Sequence, residues 1–368
     1  MTKDEILEKI IENYTLSSTD FEQLKSSYED IAKWLAKDEL IQSHGDVEIL
    51  PQGSLALGTI VKPIDEEDDF DVDLLAKINS EYFKGKPKEL KQIVGCRLKQ
   101  HERYKKNMTE GKRCWTIEYS NRHADILPCI PDYVSYDFLI TTEKKAENYY
   151  VEHSTNPIGY KKWFFKQGAK GVLLENAKIQ ELTCVKSRSN LQKIVQLCKL
   201  HRNYYYYKNK KNEDDKPISI IISTLAGYTY PSSKNFSLYE DFLYVVKNMR
   251  QFICKKNGEY FVDNPVDSKE NFADKWKIHP ERKSAFFEWL ELLESNIDEL
   301  SNAKNLFEEA KILKKMFGEK AINCIYADQG NYLHSLREQG GLYMDDRGVL
   351  NNKSGHKVEK HTFFGSDD

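Results

Sequence analysis

Two aspartates in the first quarter of the chain have the spacing of a metal site. Asp71 and Asp73 alternate with three apolar residues, Phe70, Val72 and Leu74. Successive side chains of a β-strand point to opposite faces, so the two carboxylates are predicted to share one face and the apolar side chains the other. Neighbouring carboxylates repel each other unless a cation lies between them. Oxygen ligands suit Mg²⁺, which completes its shell with water and substrate phosphates. The pattern therefore predicts a magnesium site for phosphoryl transfer.

A third acid follows on a second predicted strand. Asp125 lies between Ala124 and Ile126 in the segment His123–Pro128, after a predicted strand at Trp115–Tyr119. A carboxylate on a strand adjacent to the first pair could bind the same metal and accept the proton of an attacking hydroxyl, as two-metal phosphoryl transfer requires. The alternative is a hydrogen-bonding residue at the end of a loop.

A Gly-Ser turn precedes the first acids. Val47–Leu50 alternates like a half-buried strand, and Pro51 ends it. Gly53 lets the backbone approach a ligand closely, and Ser54 offers a hydroxyl and an amide to an anion. The next residues could open a helix, whose N-terminus favours phosphate. A Gly-Ser pair alone is a weak signal, and an acidic run such as residues 65–69 is usually a solvated loop. The apolar alternation that follows favours a phosphate-binding turn beside a metal-binding strand.

These motifs together resemble a known family. Gly53 and Ser54, the pair Asp71 and Asp73, and the later Asp125 resemble the motif layout of the polymerase-β-like nucleotidyltransferase superfamily. The fuller string Gln52–Thr59, followed by Pro63 and Asp69–Leu74, resembles that of the bacterial cGAS/DncV-like nucleotidyltransferases (CD-NTases) of CBASS anti-phage defence. Further support comes from four later segments, Asn156–Phe164, Leu191–Arg202, Asn264–Val266 and Asn271–Trp276. The resemblance thus covers the chain from about residue 50 to residue 276.

The resemblance implies an α/β (α+β) fold. We expect a polymerase-β-like nucleotidyltransferase core with a mixed sheet, a helical second lobe, and an active site in the cleft between them. The predicted units are N-terminal helices packing on the core at 1–45, the catalytic core at 46–150, the helical lobe at 151–335 and a C-terminal tail at 336–368. Strand signals fade after Ser135. The run Pro217–Tyr230 is strand-like by composition, and the resemblance makes it a helix of the second lobe.

The resemblance also implies the activity and the site residues. The enzyme would join nucleoside triphosphates, ATP among them, release pyrophosphate and close a cyclic di- or trinucleotide that a separate effector protein binds. Asp71, Asp73 and Asp125 would hold two Mg²⁺ ions, for which Mn²⁺ can substitute, and Asp125 would activate the hydroxyl. The implied nucleotide contacts are Gln52, Gly53, Ser54, Lys199 and Ser219. For Lys199, which lies on the polar side of a predicted helix, the alternative is an ordinary solvated helix face.

Two other functions remain open at this point. One is a non-cyclising nucleotidyltransferase that acts on RNA ends or on a protein, which a basic groove would favour. The other is an inactive module that senses nucleotides. The formal net charge is −3, with 55 Lys and Arg against 58 Asp and Glu, so general attraction to nucleic acid is weak. All three acids are present, which disfavours an inactive module.

Composition indicates the cellular compartment of the protein. The seven cysteines among 368 residues form no Cys-x-x-Cys pair, which favours reduced thiols in a cytoplasm over disulfides or zinc. No segment approaches 18 consecutive apolar residues, and the N-terminus has the pattern of a polar helix. We therefore expect a cytoplasmic protein without membrane association. Double-stranded DNA is not expected as a trigger, because no zinc ribbon or DNA-binding insertion is visible.

The C-terminus carries an unusual aromatic pair. Phe363 and Phe364 precede Gly365 in a polar tail, and exposed aromatic residues of this kind suggest a binding partner. In many defence operons of the resembled family, a ubiquitin-conjugation-like enzyme binds the C-terminal tail of the synthase and joins its final glycine to a target. Here Ser366–Asp368 follow Gly365, so conjugation would require trimming. The alternative is that the two rings pack on the protein's own surface.

Overall fold

The fold of the protein is taken from a computed structural model. It describes residues 1–64, 70–119, 122–135, 138–168, 187–232, 237–346 and 348–360. All the predicted catalytic and nucleotide-binding residues lie inside these ranges. Gly365 and the aromatic pair before it lie outside them, so the prediction for the tail concerns residues outside the described part of the chain.

The first half of the described chain builds a mixed sheet. Its strands are β1 (Val47–Pro51), β2 (Phe70–Ile78), β3 (Met108–Glu110), β4 (Trp115–Glu118), β5 (Arg122–Pro131), β6 (Leu139–Ala146) and β7 (Tyr149–Thr155). The order β1-β2-β5-β4-β3 runs across the sheet, and β6 pairs with both β5 and β7. Strands β2 and β5 are parallel, whereas the other pairs are antiparallel. The predicted mixed sheet is confirmed.

Helices cover one face of this sheet. The helices before and within the sheet region are α1 (Lys3–Asn13), α2 (Ser18–Ala36), α3 (Glu39–Gln42), α4 (Gly53–Leu57), α5 (Pro87–Lys99) and α6 (Glu102–Lys105). Val72 and Leu74 of β2 are buried in one core with apolar residues of α2 and α5, among them Leu24 and Val94. The predicted alternation along β2 is therefore correct, and its aspartates face away from that core.

The sheet extends further than the sequence indicated. The prediction that strands fade after Ser135 is wrong, because β6 and β7 continue the sheet to Thr155, beyond the predicted core boundary at 150. The two strands form an antiparallel hairpin whose turn includes Asn148 in the left-handed region, at φ 61°. Lysine and glutamate side chains occupy the outer part of this hairpin, so its alternation is polar and gives little apolar signal.

The second half is helical, as predicted. Its helices are α7 (Pro157–Gly168), α8 (Asn190–Asn209), α9 (Ser219–Thr229), α10 (Leu238–Asn248), α11 (Pro280–Ser301), α12 (Leu306–Phe317) and α13 (Glu319–Glu338). They surround α8, whose residues from 191 to 202 are all buried. The strand-like run at 217–230 forms α9, the conformation that the resemblance favoured.

The N-terminal helices divide between the two cores. In α1, Ile6, Leu7, Ile10 and Ile11 are buried in the core of the helical lobe. Helix α2 instead packs on the sheet. Helix α2 packs on the catalytic core in the way predicted for residues 1–45, and α1 in addition packs on the helical lobe, so this segment contacts both halves of the molecule.

Short hairpins complete the described chain. Strands β8 (Cys254–Lys256) and β9 (Glu259–Phe261) form one, and β10 (Asp263–Asn264) and β11 (Asp267–Asn271) form another. A small three-stranded sheet of β12 (Tyr343–Met344), β13 (Leu350–Asn351) and β14 (His356–Lys357) lies within the predicted tail. None of the helices in the described ranges is long and apolar enough to cross a bilayer.

Candidate active site

The parallel pairing of β2 and β5 brings the three acids together. In the register of the two strands, Asp73 lies beside Asp125 and Asp71 beside His123. Adjacent strands are about 4.8 Å apart, so side chains at paired positions are neighbours on the same face. All four residues line a cleft of about 1290 Å³ between the sheet and the helical lobe. The expected convergence of Asp71, Asp73 and Asp125 is what the register produces.

The Gly-Ser turn lies directly against Asp73. The Gln52 backbone N–H donates to the Asp73 carbonyl oxygen at 2.9 Å, and Gly53 begins α4 with φ +57°. A Cβ at Gly53 would overlap the carboxylate of Asp73. Both the backbone conformation and this close approach therefore require glycine. Ser54 lines the cleft beside Gly53, whereas Gln52 lines an adjoining cavity.

The pKa values of Asp71 and Asp73 are raised, first by burial and then by neighbouring carboxylates. Burial, followed by repulsion from Asp125 and Asp71, raises the pKa of Asp73 to about 6. Desolvation and the charge of Asp125 also raise the pKa of Asp71. The Thr116 hydroxyl on β4 donates to Asp125 Oδ1 at 2.5 Å. A cation among the three carboxylates would relieve their repulsion.

The oxygen donors suit a hard cation, but the geometry is not that of a finished metal site. Within the part of the chain that the structure describes, no group of three or more His, Cys, Asp or Glu side chains is arranged to hold a metal ion. The donor chemistry fits Mg²⁺ or Mn²⁺. Both ions complete their coordination shells with water and substrate oxygens, so a site that is not fully preformed is compatible with binding them.

A buried lysine lies on the opposite wall of the cleft. The Lys199 ammonium on α8 donates to the backbone carbonyl of Thr59 at 3.1 Å and to its hydroxyl at 3.2 Å. Burial and the nearby Arg202 lower the pKa of Lys199 to about 7, against the opposing effect of Asp73 and Asp71. Lys199 is only 2% exposed, so the alternative of a solvated helix face is wrong. Lys199 is a cleft residue.

Ser219 and Arg202 form the adjoining part of this wall. Ser219 is the first residue of α9 and accepts a hydrogen bond from Arg202 Nη1 at 3.1 Å. The same nitrogen donates to the Pro217 carbonyl at 2.6 Å. Arg202 was not among the predicted site residues. Its position three residues after Lys199 places both on one helix face, and that spacing is the signal that could have identified it.

The neighbouring histidine serves the core instead. His201 Nδ1 accepts a hydrogen bond from the Trp289 indole N–H at 3.1 Å, and its Nε2 lies 2.9 Å from Asn296 Nδ2. Burial lowers the pKa of His201 to about 3. This side chain links α8 to α11 and faces away from the cleft.

The cleft has acidic residues on one wall and cationic residues on the other. Carboxylates and the Gly-Ser turn form one wall, and Lys199 with Arg202 forms the other. Four consecutive tyrosines, residues 204–207, lie near the end of α8. Two of them line the cleft together with three lysines; these five residues are Tyr206, Tyr207, Lys210, Lys211 and Lys216. A polyphosphate between the walls would meet cationic donors on one side and carboxylates able to share a metal on the other.

Known proteins share this sequence and architecture. The family model for the Second Messenger Oligonucleotide or Dinucleotide Synthetase domain (SMODS) matches residues 1–167. A c-di-GMP synthase from Roseivirga ehrenbergii is 31% identical, over 98% of this chain and 97% of its own length.

Solved structures agree in fold. The CD-NTase CdnG of Bradyrhizobium diazoefficiens, in complex with GTP, superposes with a TM-score of 0.67 at 18% identity, over 86% of this chain and 96% of its own. CdnC of E. coli MS115-1 with ATP superposes with a TM-score of 0.59 at 14% identity, and the match covers 86% of this chain and 98% of CdnC. Given the identity to the Roseivirga enzyme over nearly the whole of both chains, this protein belongs to the cGAS/DncV-like nucleotidyltransferases (CD-NTases), enzymes that join nucleotides into second messengers.

Proposed function

We propose that this enzyme converts GTP into a cyclic dinucleotide, with Asp71, Asp73 and Asp125 as its catalytic acids. The observation that carries the proposal is the register that sets Asp73 beside Asp125, across the cleft from Lys199. Guanine is favoured because the 31% identical relative is a c-di-GMP synthase. The CdnG structure, which contains GTP, supports the same choice.

The three acids would hold divalent metal ions, Mg²⁺ or Mn²⁺, which when bound would polarise the attacking and leaving oxygens. The raised pKa values of Asp71 and Asp73 support this role. Burial is their main cause and carboxylate repulsion the second, and a bound cation would offset both. Asp125 would accept the proton of the attacking ribose hydroxyl. Thr116, which donates to one oxygen of Asp125, would keep that carboxylate oriented.

The remaining residues would bind and orient the triphosphate. Gly53 and Ser54 would contact its β- and γ-phosphates, and Lys199 and Ser219 would contact it from the opposite wall. In each of two rounds, a ribose oxygen forms a bond to the α-phosphorus of a second nucleotide. The bond from that phosphorus to the β-phosphate oxygen breaks, and pyrophosphate leaves. The second round closes the ring.

The biological setting remains part of the proposal. By its family, the enzyme would act in bacterial anti-phage defence, with a separate effector binding its product. E. coli CdnC has been solved in complex with a HORMA protein, which is a property of that relative. Conjugation at Gly365 stays a prediction. Mass spectrometry of the protein from its native cells tests it, since an intact Asp368 on every molecule would rule it out.

Product analysis tests the proposal. Purified protein is incubated with Mg²⁺ and each of the four nucleoside triphosphates, singly and in pairs, and the products are identified by mass spectrometry. GTP is expected to give a cyclic dinucleotide, with two pyrophosphates released per ring; ATP, which we also predicted, is tested in the same series. Linear products would favour a non-cyclising transferase. Nucleotide binding without product would favour a sensing module, and either outcome would contradict the proposal.

A further inference from the structure

A second cavity adjoins the catalytic cleft at Gly53. Its volume is about 410 Å³, within the range of small-molecule sites, and most of its surface is apolar. The cavity and the cleft share four lining residues, Gly53, Leu57, Asp73 and Ile220. A nucleotide with its phosphates at Gly53 therefore has room for its base in this cavity.

Two distant segments of the chain form the walls of this cavity. One runs from Thr155 to Lys161 at the start of α7, and the other contributes Asn264, Glu270 and Phe272 from the hairpin β10–β11 and its end. Both regions include segments that resemble the family, and none of the catalytic roles above uses them. Their convergence beside the phosphate turn indicates that they serve the same ligand.

Glu270 is held in place by one hydrogen bond and keeps acceptor capacity on both carboxylate oxygens, since each oxygen can accept two hydrogen bonds. The Asn264 side-chain amide donates to Glu270 Oε2 at 2.7 Å, while the Asn264 oxygen accepts from the Val266 backbone N–H at 3.0 Å. Asn264 is itself only 6% exposed. None of the described residues donates a hydrogen bond to Glu270 Oε1. The carboxylate is thus oriented by a buried amide and retains acceptor capacity toward the cavity.

Lys161 supplies the opposite charge in the same cavity. Its side chain is partly buried, and burial lowers the pKa of its ammonium group. Within the described ranges, Lys161 has no hydrogen bond or ion pair. A desolvated cation without a partner is unfavourable, so it is expected to find an acceptor when a ligand enters.

This pair of charges matches one base edge. Guanine presents the O6 acceptor beside the N1–H and N2–H donors along one edge. A carboxylate accepts from both donors, and an ammonium donates to O6. Adenine presents a donor and an acceptor in the reverse order, so the same charges disfavour it. The apolar surfaces of Ile220 and Phe272 can pack against the faces of the ring.

We propose that this cavity binds the guanine base of the GTP whose phosphates reach Gly53 and Ser54, and that Glu270 and Lys161 select guanine. The inference rests on the proposed function and adds to it the residues that distinguish the bases. Glu270 accepts from N1–H and N2–H, and Lys161 donates to O6. Asn264 is a positioning residue that acts through Glu270.

Inosine triphosphate (ITP) isolates the Glu270 contact, because it lacks only the N2 amino group of GTP. Dissociation constants of GTP, ITP and ATP are measured by calorimetry in EDTA, where binding is separated from turnover. The wild-type protein is expected to bind GTP about ten- to hundredfold more tightly than ITP, the usual effect of a hydrogen bond to a charged group. Glu270→Gln should bring this ratio close to one. The matched control Asp267→Asn, in the same hairpin but outside the cavity, should keep the wild-type ratio.

Lys161 has a different expected signature. Lys161→Met should weaken the binding of GTP and of ITP alike, because both retain O6. Lys162→Met, at an exposed position of the same helix, should change neither. Melting curves check that each variant is folded.

Two results would overturn the inference: equal wild-type affinities for GTP and ITP, or a wild-type ratio in Glu270→Gln. The first needs no variant, so a folding defect cannot leave the inference untested. The experiments also distinguish failure of this inference from failure of the proposed function. If the protein makes a cyclic dinucleotide but Glu270→Gln leaves the ratio of GTP to ITP affinity unchanged, only the proposed base pocket is wrong. A protein with the expected binding ratios but no cyclic product refutes only the proposed reaction.

Discussion

Lys199 combines a structural contact with an expected catalytic one. Its ammonium donates hydrogen bonds to Thr59, and burial lowers its pKa to about 7. A triphosphate in the cleft would favour the charged form, because an anion close to an ammonium stabilises its proton. The residue therefore has both the position and the proton affinity to respond to phosphate.

Substitution of Lys199 separates these roles. Lys199→Ala is expected to raise the KM for GTP about ten- to hundredfold, because a charge-assisted contact contributes about 1.5–3 kcal/mol. It should also slow the first transfer. Steady-state kinetics measure the effect, with Lys208→Ala, exposed on the same helix, as the control. A folded Lys199→Ala protein with wild-type KM would mean that Lys199 only anchors Thr59.

The raised pKa of Asp73 predicts how stability depends on pH in metal-free protein. Between about pH 4 and pH 6 the folded state holds a proton on Asp73 that the unfolded state has lost. Stability therefore falls as the pH rises through this window, and the full cost is present above pH 6. Asp73→Asn removes the ionisation. In EDTA at pH 7, the free energy of unfolding of Asp73→Asn should exceed that of the wild type by about 1–3 kcal/mol. At pH 4 the two free energies of unfolding should be nearly equal. Urea unfolding at both pH values measures the difference, and a pH-independent difference would contradict the assignment.

For single residues, the sequence predicts those positions that depend only on the secondary structure around them. The alternation around Asp71 and Asp73 requires only a strand, so the shared face follows from the sequence. Thr116 and Glu270 differ, because each acts on a residue or a cavity that tertiary packing creates. Neither has a local pattern from which its position could be inferred.

At the scale of elements, α5 positions the sheet through a close approach to β4. The Trp115 indole N–H donates to the Lys91 carbonyl at 2.9 Å, and a Cβ at Gly95 would overlap the Trp115 ring. Glycine in a helix interior is unfavourable by roughly 0.5–1 kcal/mol relative to alanine. Its presence in α5 is explained by the need for the indole to lie against the helix backbone.

Two glycine-to-alanine variants test this packing. Gly95→Ala should lower the free energy of unfolding by about 1–3 kcal/mol, because the added methyl group overpacks the contact. Gly330→Ala, in the interior of α13, meets no atom within 4 Å. It should raise stability by about 0.5–1 kcal/mol through helix propensity. Urea denaturation measures both. Stabilisation by both substitutions would show that Trp115 can move aside at no cost.

Elements with a strong apolar pattern were predictable, and those without one were not. Strand β2 and helix α10 have clear periodicities. The hairpin β6–β7 has a polar outer face, and its strands were missed. Helix α9 opens with Ser219 and three isoleucines, a composition that favours a strand, and its burial among other helices overrides that preference. Only the family resemblance predicted it correctly.

At the scale of the whole molecule, α8 joins the two halves. Gln192 and Gln196 donate to the carbonyls of Leu57 and Ile60 at 2.8 Å and 2.9 Å, and Lys199 donates to that of Thr59. These side chains share one face of α8 and bind the end of α4 and the residues just after it, and α4 itself begins with the Gly-Ser turn. The relative position of the two cleft walls is thus set by buried hydrogen bonds that are costly to break.

These contacts between α8 and the other half of the protein could not be predicted from the sequence. The apolar face of α8 is periodic and predicts a buried helix face. The polar face has the composition of a solvated surface, and only the folded arrangement shows that it meets the other half of the protein. The resemblance predicted the overall fold and the cleft, while the contacts that fix the width of the cleft required the structure.

The central claim is that Asp71 and Asp73 catalyse the joining of GTP molecules in this cleft. Its most direct test uses GTP labelled with ³²P at the α-phosphate and digestion of the products with alkaline phosphatase, which leaves label only in internal phosphodiesters. With Mg²⁺, wild-type protein and the exposed-acid control Asp46→Ala should give phosphatase-resistant label. Asp71→Ala and Asp73→Ala should give none, while melting at or above the wild-type temperature because repulsion is relieved. Resistant label at the wild-type rate from either variant would contradict the account.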